Sequence, residues 1–129
     1  MASKNPTPKP TEAELSILRV LWSRGPSTVR DVHERMDRGE KTGYTTALKL
    51  LQVMHGKGLV ERDDSNRAHV YRPANSKDQT QKQFVSDLVT RVFDGKASDL
   101  VLHALGNSTA ASAEDLDRIR KMLEQLEQS

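Results

Sequence analysis

Residues 43–72 read GYTTALKLLQVMHGKGLVERDDSNRAHVYR, and the period of the apolar residues changes part-way through this stretch. Apolar residues in its first half recur at the spacing of one helix face: Ala47, Leu50, Leu51 and Met54. This spacing predicts a helix that begins at Thr42 or Gly43. The helix is expected to end at Gly56-Lys57-Gly58, because glycine readily adopts the terminating turn.

The second half of the stretch has the features of a β-hairpin. Residues 59–62 are typical of a strand, and residues 68–72 alternate as a returning strand does. The sequence DDSN at residues 63–66 favours a turn, because short polar side chains bond their own backbone. Pro73 is expected to end the second strand, because proline lacks the amide hydrogen that a strand ladder uses.

Two further helices are predicted before this stretch. Residues 11–14, TEAE, have capping-box spacing, and one helix face follows: Leu15, Leu18, Leu21 and Trp22. Arg24-Gly25-Pro26 ends that helix, and Thr28 is expected to cap a short one bearing Val29, Val32 and Met36. Three helices and a hairpin in about 65 residues predict a winged helix-turn-helix domain over residues 11–75. Residues 1–10 are polar and proline-rich and are interpreted as a flexible arm.

Residues 76–129 are predicted to be helical. Ser76 and Gln79 have capping-box spacing, and Ser112 is expected to cap the last helix. Apolar stripes along these helices give the candidate dimerisation residues: Phe84, Leu88, Val92, Leu100, Leu116, Ile119 and Leu123. The stripes fit either the core of a monomeric subdomain or a dimer interface. A unit this small buries little apolar surface by itself, so we expect a helical dimerisation domain. The predicted fold class is therefore mainly α with a small β-hairpin.

The composition excludes several classes of protein. The chain contains no cysteine, which excludes disulfides, thiolate metal sites and cysteine nucleophiles. No apolar run approaches the roughly 20 residues that a membrane-spanning helix needs, and the expected location is the cytoplasm. The four histidines are scattered, and neither a phosphate-binding glycine loop nor a glycine-flanked nucleophile occurs. We therefore expect no enzyme activity, no metal and no cofactor.

The charge is divided unevenly along the chain. Residues 1–75 contain 13 Lys and Arg against 9 Asp and Glu, whereas residues 76–129 contain 7 against 9. A basic first half followed by an acidic second half is typical of a nucleic-acid-binding module joined to another element. A difference of this size also arises by chance.

The outward face of the third predicted helix is the candidate DNA-reading surface. A helix fits the major groove, while basic residues of a hairpin can contact phosphates. The predicted DNA-binding residues are Lys41, Thr42, Tyr44, Thr45, Thr46, Lys49, Gln52, Arg62 and Arg67. Alternatively, the helix face is an ordinary solvated surface and Arg67 protects a strand edge. Leu48 is unexpected on this face, where it either contacts a thymine methyl group or is partly buried.

Several short motifs are similar to those of a known family. They read GPSTVRDV at residues 25–32, GYTT at 43–46, KGLV at 57–60 and RAHVY at 67–71. In this order and spacing they resemble the penicillinase-repressor family, also called BlaI/MecI/CopY. The resemblance covers nearly the whole chain after Pro10 and continues into the last helix.

This resemblance implies a homodimeric repressor that binds an inverted-repeat operator. It also implies release through a membrane sensor-protease, which detects β-lactams or other stress and triggers cleavage in the C-terminal region. By position, the operator would be contacted by Thr45, Thr46 and Lys49 of the third helix. It would also be contacted by Arg67 of the β-hairpin at residues 59–72, which is called the wing in this family.

The chain departs from the family pattern at three points. It lacks the cysteine cluster of the copper-responsive branch, so copper sensing through that cluster is excluded. Leu48 stands where relatives often have a basic residue, and the asparagine–aromatic cleavage site corresponds to His103-Ala104. Acidic residues flank the predicted basic positions: Glu40, Asp63 and Asp64. The alternative function is therefore a winged-helix module for protein–protein interaction without specific DNA binding.

Overall fold

The computed structural model describes residues 8–36, 43–107 and 111–129. The elements follow in the order α1 (Glu12–Arg24), β1 (Ser27–Thr28), α2 (Val29–Arg35), α3 (Tyr44–Lys57), β2 (Val60–Asp63), β3 (Val70–Pro73), α4 (Lys77–Arg91), α5 (Ala97–Gly106) and α6 (Ala113–Gln128). Helices dominate and the strands form one small sheet, so the predicted fold class of a winged helix-turn-helix followed by helices is confirmed.

The capping residues predicted from the sequence begin the helices where expected. The Thr11 hydroxyl accepts from the Glu14 amide at 3.2 Å, and the Glu14 carboxylate accepts from the Thr11 amide at 2.9 Å. Ser76 and Gln79 form the same reciprocal pair before α4, and the Ser112 hydroxyl caps α6. A cap of this kind stabilises a helix by about 1 kcal/mol, because it satisfies an amide that has no partner within the helix.

The strands form a three-stranded antiparallel sheet with the order β1-β3-β2. Tyr71 of β3 pairs with Ser27 on one side and Arg62 on the other. The hairpin prediction is confirmed, with β2 and β3 each shifted by one or two residues. Pro73 is the last residue of β3 rather than the residue after it, opposite Val60. Its missing amide hydrogen falls where the ladder ends.

The prediction did not include β1. Ser27 and Thr28 were expected only to open the second helix, and Thr28 does cap α2 with a capping box to Asp31. These two residues also pair with β3, so the sheet has three strands. A strand of two residues is too short to show an alternating pattern, and its pairing depends on where the hairpin packs.

The core of the domain lies between the first three helices and the sheet. Its buried apolar residues are Ile17, Leu18, Leu21, Val29, Val32, Met36, Ala47, Leu51, Met54, Leu59, Val60 and Tyr71. Leu48 and Leu50 are half-buried and pack against this core from α3. Leu50 is therefore less buried than predicted. Of the two alternatives considered for Leu48, the structure shows partial burial.

The chain divides into two compact units, residues 1–85 and 86–129. The predicted domain boundary after residue 75 coincides with the start of α4, but the first part of that helix belongs to the first unit. Thr80 is buried there, and the Trp22 indole N–H donates to the Asn75 carbonyl at 3.1 Å.

The predicted flexible arm is corrected at its last two residues. Pro10 is buried, and the Lys9 ammonium lies 5.4 Å from the centroid of the Phe84 ring. A cation over an aromatic face is attracted by the ring quadrupole, so this end of the arm packs against the first unit. Residues 1–7 lie outside the described part of the chain.

Among the described residues of the second unit, none is buried. Its backbone is nevertheless regular. The amide of Gly95 donates to the Val89 carbonyl at 2.8 Å, and Asp94 and Gly95 take positive φ angles of 52° and 82° to turn the chain between α4 and α5.

Candidate nucleic-acid interface

Helix α3 presents a continuous polar face at its N-terminal half. Ala47, Leu51 and Met54 are fully buried, which fixes the rotation of the helix about its axis. The residues predicted to read DNA from this helix are all exposed: Tyr44, Thr45, Thr46, Lys49 and Gln52. By helical spacing, Thr45, Thr46, Lys49 and Gln52 share the face opposite the buried one, while Tyr44 lies at the N-terminal end of the helix. Lys41 and Thr42 lie outside the described residues.

The N-terminus of α3 differs from the N-termini of α1 and α2. Gly43 occupies the cap position and, within the described residues, no side chain caps the helix. The first turn also contains no acidic residue, whereas α1 has Glu12 and Glu14 and α2 has Asp31. Uncapped amides at a helix N-terminus carry partial positive charge and bind phosphate. Sequence reasoning missed this feature, although glycine at the cap was a visible signal.

Tyr44 is held at the start of α3 by an aromatic contact. The His33 ring of α2 meets the Tyr44 ring edge to face, with centroids 6.0 Å apart and planes at 80°. Edge-to-face packing restricts the direction of the phenol, which is about half exposed. The tyrosine is thus positioned at the end of the helix that would approach DNA.

The C-terminal end of α3 is anchored to the start of α1 by a buried carboxylate. Lys57 Nζ lies 2.7 Å from Glu14 Oε2, and Glu14 is only 2% exposed. Burial raises the pKa of Glu14, but hydrogen bonds from Lys57 and Thr11 outweigh it, so the pKa lies below its ordinary value. The Glu14 carboxylate therefore stays charged and connects the cap of α1 to the C-terminal end of α3.

The tip of the wing is organised by Asp63. Its carboxylate accepts from the Ser65 amide at 2.9 Å and from the Ser65 hydroxyl at 2.6 Å. These hydrogen bonds lower the pKa of Asp63. The predicted turn chemistry is confirmed, and it presents Arg67 at the exposed end of the hairpin.

Two of the three arginines of the wing are already paired within it. Arg62 Nε lies 2.7 Å from Asp64, and Arg72 Nε lies 2.8 Å from Glu61. Hydrogen bonding with Tyr71 and then with Asp64 raises the pKa of Arg62. Within the described part of the chain, Arg67 has no ion pair. Of the two predicted wing contacts, Arg67 is thus the side chain with an uncompensated charge.

The predicted dimerisation residues are distributed over α4, α5 and α6. Leu88, Val92, Leu116 and Leu123 are exposed, and Phe84, Leu100 and Ile119 are half-buried. Further apolar side chains that the prediction did not name are also exposed: Val85, Val101, Leu102, Leu105, Met122 and Leu126. Leu102 is 69% and Leu126 is 65% exposed. The apolar surface of these helices is therefore larger than the sequence stripes indicated.

A family model described as penicillinase repressor matches residues 10–125. The chain belongs to the penicillinase repressor family. The resemblance inferred from its motifs is confirmed. The family consists of transcriptional repressors and not of enzymes, and this chain is accordingly a DNA-binding transcriptional repressor.

Relatives of this penicillinase repressor family member occur in two strains of Mycobacterium tuberculosis, CDC 1551 / Oshkosh and ATCC 25618 / H37Rv. Both are named transcriptional regulator BlaI. Each is 30% identical over 118 residues, which cover 90% of this chain and 83% of the relative.

Two similar solved structures are of repressors. One is of the CopR repressor, with 28% identity, a TM-score of 0.44, and coverage of 49% of this chain and 91% of that chain. The other is the solution structure of monomeric Bacillus licheniformis BlaI with the blaP half-operator. It has 20% identity, a TM-score of 0.49, and coverage of 57% of this chain and 89% of that chain.

The described residues offer no arrangement for metal chemistry. Across residues 8–36, 43–107 and 111–129, no group of three or more histidine, aspartate or glutamate side chains is placed to hold a metal ion. Over the same ranges, no helix combines the length and the apolar character needed to cross a membrane.

Proposed function

We propose that this repressor binds an inverted-repeat operator as a homodimer, with α3 in the major groove and the wing on the phosphate backbone. The observation that carries the proposal is the division of α3 into two faces. Ala47, Leu51 and Met54 are fully buried, and the polar side chains from Tyr44 to Gln52 are exposed beside an uncapped helix start.

The reading residues are Thr45, Thr46, Lys49 and Gln52. Hydroxyl, ammonium and amide groups on one helix face can bond base edges in the major groove. Tyr44 and the amides of the first turn lie where the helix meets the backbone, so we assign them to phosphate contacts. Lys41 and Thr42, just before the helix, belong to the same proposed surface.

The wing contributes Arg67 as a phosphate clamp. A guanidinium can donate two hydrogen bonds to one phosphate, and Arg67 has no competing carboxylate among the described residues. We propose that Arg62 contributes less than Arg67 to phosphate binding. Its guanidinium is paired with Asp64 at 2.7 Å and would have to leave that carboxylate to contact DNA.

Dimerisation is proposed through the exposed apolar stripes of the second unit. The apolar residues on the stripes of α4, α5 and α6 are exposed or only half-buried among the described residues, and a large apolar surface favours association. Two identical reading helices match an operator with two-fold symmetry, because each protomer then reads one half-site. We accordingly propose residues 76–129 as the dimerisation domain and residues 11–75 as the DNA-binding domain.

We further propose that a β-lactam or other stress signal releases the repressor in the cytoplasm through a membrane sensor-protease. The position corresponding to the family cleavage site, His103-Ala104, lies inside α5, and the His103 ring nitrogen Nδ1 is 2.9 Å from the Asp99 carbonyl. A protease needs an extended substrate, so cleavage there requires local opening of α5.

The direct test is binding to the DNA upstream of the gene encoding this chain. With labelled fragments, fluorescence anisotropy should show tighter binding to the upstream region than to shuffled DNA of equal length. If a dimer neutralises about six phosphates, the plot of log affinity against log salt should have a slope of about −5. Equal affinity for both fragments, or affinity independent of salt, would favour the protein-interaction alternative.

A further inference from the structure

An open cavity of about 630 Å³ lies in the first unit and is not explained by DNA binding. Its walls come from α1, the end of α2 and the start of α4, and it contains no residue of α3, β2 or β3. This volume is within the range of about 300–1,000 Å³ that is typical of small-molecule sites. The cavity is therefore large enough for a small ligand and separate from the proposed reading and clamping residues.

The lining of this cavity is strongly cationic. Arg19, Arg24, Arg35 and Lys77 all contribute to it, and none of the described lining residues is a carboxylate. The neighbouring carboxylate of Asp31 lies 3.3 Å from Arg24 and also interacts electrostatically with Arg35. Among the described residues, four cations line the cavity and Asp31 pairs with one of them, so the cavity is positive and favours an anionic ligand.

The rest of the lining consists of two serines, Ser16 and Ser23, and of an apolar wall that includes the only tryptophan of the chain, Trp22. The Trp22 indole N–H already donates to the Asn75 carbonyl at 3.1 Å. Because its donor is occupied and its ring is held in place, Trp22 offers the cavity aromatic carbon surface. Val20 and Met36 extend that apolar wall, and a thioether beside a tryptophan suits a planar aromatic guest.

We propose that this cavity binds a small anion with a planar apolar body, of the class of aromatic carboxylates. A guanidinium group can bond a carboxylate with two parallel hydrogen bonds, and the apolar wall at Trp22 would cover the ring. A DNA phosphate is the other possible source of negative charge. The absence of any α3, β2 or β3 residue from the lining favours the small molecule. The proposal does not depend on the operator model above.

The test uses the full chain labelled with ¹⁵N and benzoate as the probe. The single tryptophan gives one indole N–H signal, which reports on the cavity directly. Benzoate should shift this signal saturably with a Kd of about 1 mM, as expected for a ligand of this size. Benzamide has the same shape without the charge, and sulfate has the charge without the ring. Each should produce less than about one fifth of the shift at equal concentration and ionic strength.

Substitutions of the cavity arginines test whether the benzoate-induced shift arises from binding in the cavity. Arg19→Gln combined with Arg35→Gln should weaken benzoate binding roughly tenfold, because both proposed partners of the carboxylate are removed. Arg118→Gln combined with Arg120→Gln changes the net charge equally on α6 and should leave the Kd unchanged. The wild-type comparison of benzoate with benzamide is informative even if the double variant folds poorly.

Three results would overturn the proposal. The first is a benzoate shift that does not saturate or is matched by benzamide or sulfate. The second is an equal Kd in the cavity variant and the α6 control. The third is a parallel loss of DNA affinity in the cavity variant without benzoate, which would assign these cations to the DNA backbone.

Discussion

The two units of this repressor have similar apolar stripes, but the stripes are buried in the first unit and largely exposed in the second. In the first unit, the stripes of α1, α2 and α3 are buried against one another and against Tyr71, which is 1% exposed. In the second unit, stripes of the same helical spacing leave every described residue at least partly exposed. Helical periodicity thus indicates that a face will be buried, but not whether its partner lies in the same chain.

The contrast has a physical origin in the elements available to each unit. The first unit has a sheet that closes its core. The described residues of the second unit form helices and no strand, and α5 and α6 contain no buried residue. Without a second layer, apolar faces remain open to association with another chain.

The largest expected effect on the free energy of unfolding comes from shortening a buried side chain in the core of the first unit. Leu51→Ala should lower the free energy of unfolding by about 2–5 kcal/mol, because the side chain is fully buried and leaves a cavity. Val53→Ala on the same helix is the control, since Val53 is about half exposed, and should change stability by less than about 0.5 kcal/mol. Urea denaturation followed by circular dichroism measures both. Equal losses would mean that α3 is not rotated as described.

The next effect concerns the second unit. Leu116→Asp and Ile119→Asp together should give monomers and weaken operator binding at least about hundredfold, since a palindrome is read by two linked half-sites. The stability of the first unit should be retained. Gln125→Asp on the same helix is the control for added negative charge. Analytical ultracentrifugation checks the mass, and a double variant that stays dimeric would refute this placement of the interface.

A smaller effect should distinguish the proposed base contact of Lys49 from the proposed phosphate contact of Arg67. Lys49→Ala should reduce discrimination between operator and random DNA by about 1–3 kcal/mol, because it removes a side chain that we propose contacts the bases. Arg67→Ala should weaken both kinds of DNA similarly and reduce the salt slope by about one per protomer. Fluorescence anisotropy with both DNAs at several salt concentrations provides the data. If the two variants have the same profile, the proposed division of roles is wrong.

The smallest effect is expected at the buried pair of Glu14 and Lys57. The pKa of Glu14 in the folded chain lies below its ordinary value of 4.5. Its charge therefore stabilises the first unit above that value, and this contribution is lost as the pH falls through the folded pKa. Glu14→Gln can still cap α1, so the variant should lose less stability than the wild type between about pH 5 and about pH 3.

The control for the acid titration is Glu12→Gln, which removes an exposed carboxylate from the same helical turn. Its stability should fall with pH as steeply as that of the wild type. Thermal melts at closely spaced pH values measure all three proteins. A Glu14→Gln variant with the wild-type pH dependence would show that the pair with Lys57 does not contribute.

Much of the fold could be predicted because its signals are local. A hydroxyl at position 11 and a carboxylate at position 14 close a capping box within one turn, whatever surrounds them. The turn at Asp63 is equally local, since its carboxylate bonds the amide and hydroxyl of Ser65. The exposed polar face of α3 could be predicted in the same way, because the face opposite an apolar helix face is exposed.

Other features depended on residues far apart in sequence and could not be predicted in that way. The strand at Ser27 and Thr28 exists because β3 packs beside it, 42 to 44 residues later. The pairing of Arg62 with Asp64 depends on the path of the hairpin. Because of this pairing, Arg62 is less available for the DNA contact that the sequence predicted.

The sequence by itself determined where helices begin and end, the position of the wing, the absence of thiol chemistry and the membership of a repressor family. These follow from hydrogen bonds and hydrophobic periods that operate within a few residues, and from motifs in a fixed order. Tertiary structure alone decided that Glu14 is buried against Lys57 and that four cations line one cavity together with Trp22. Each of these brings together separate elements, and only packing sets the distances between them.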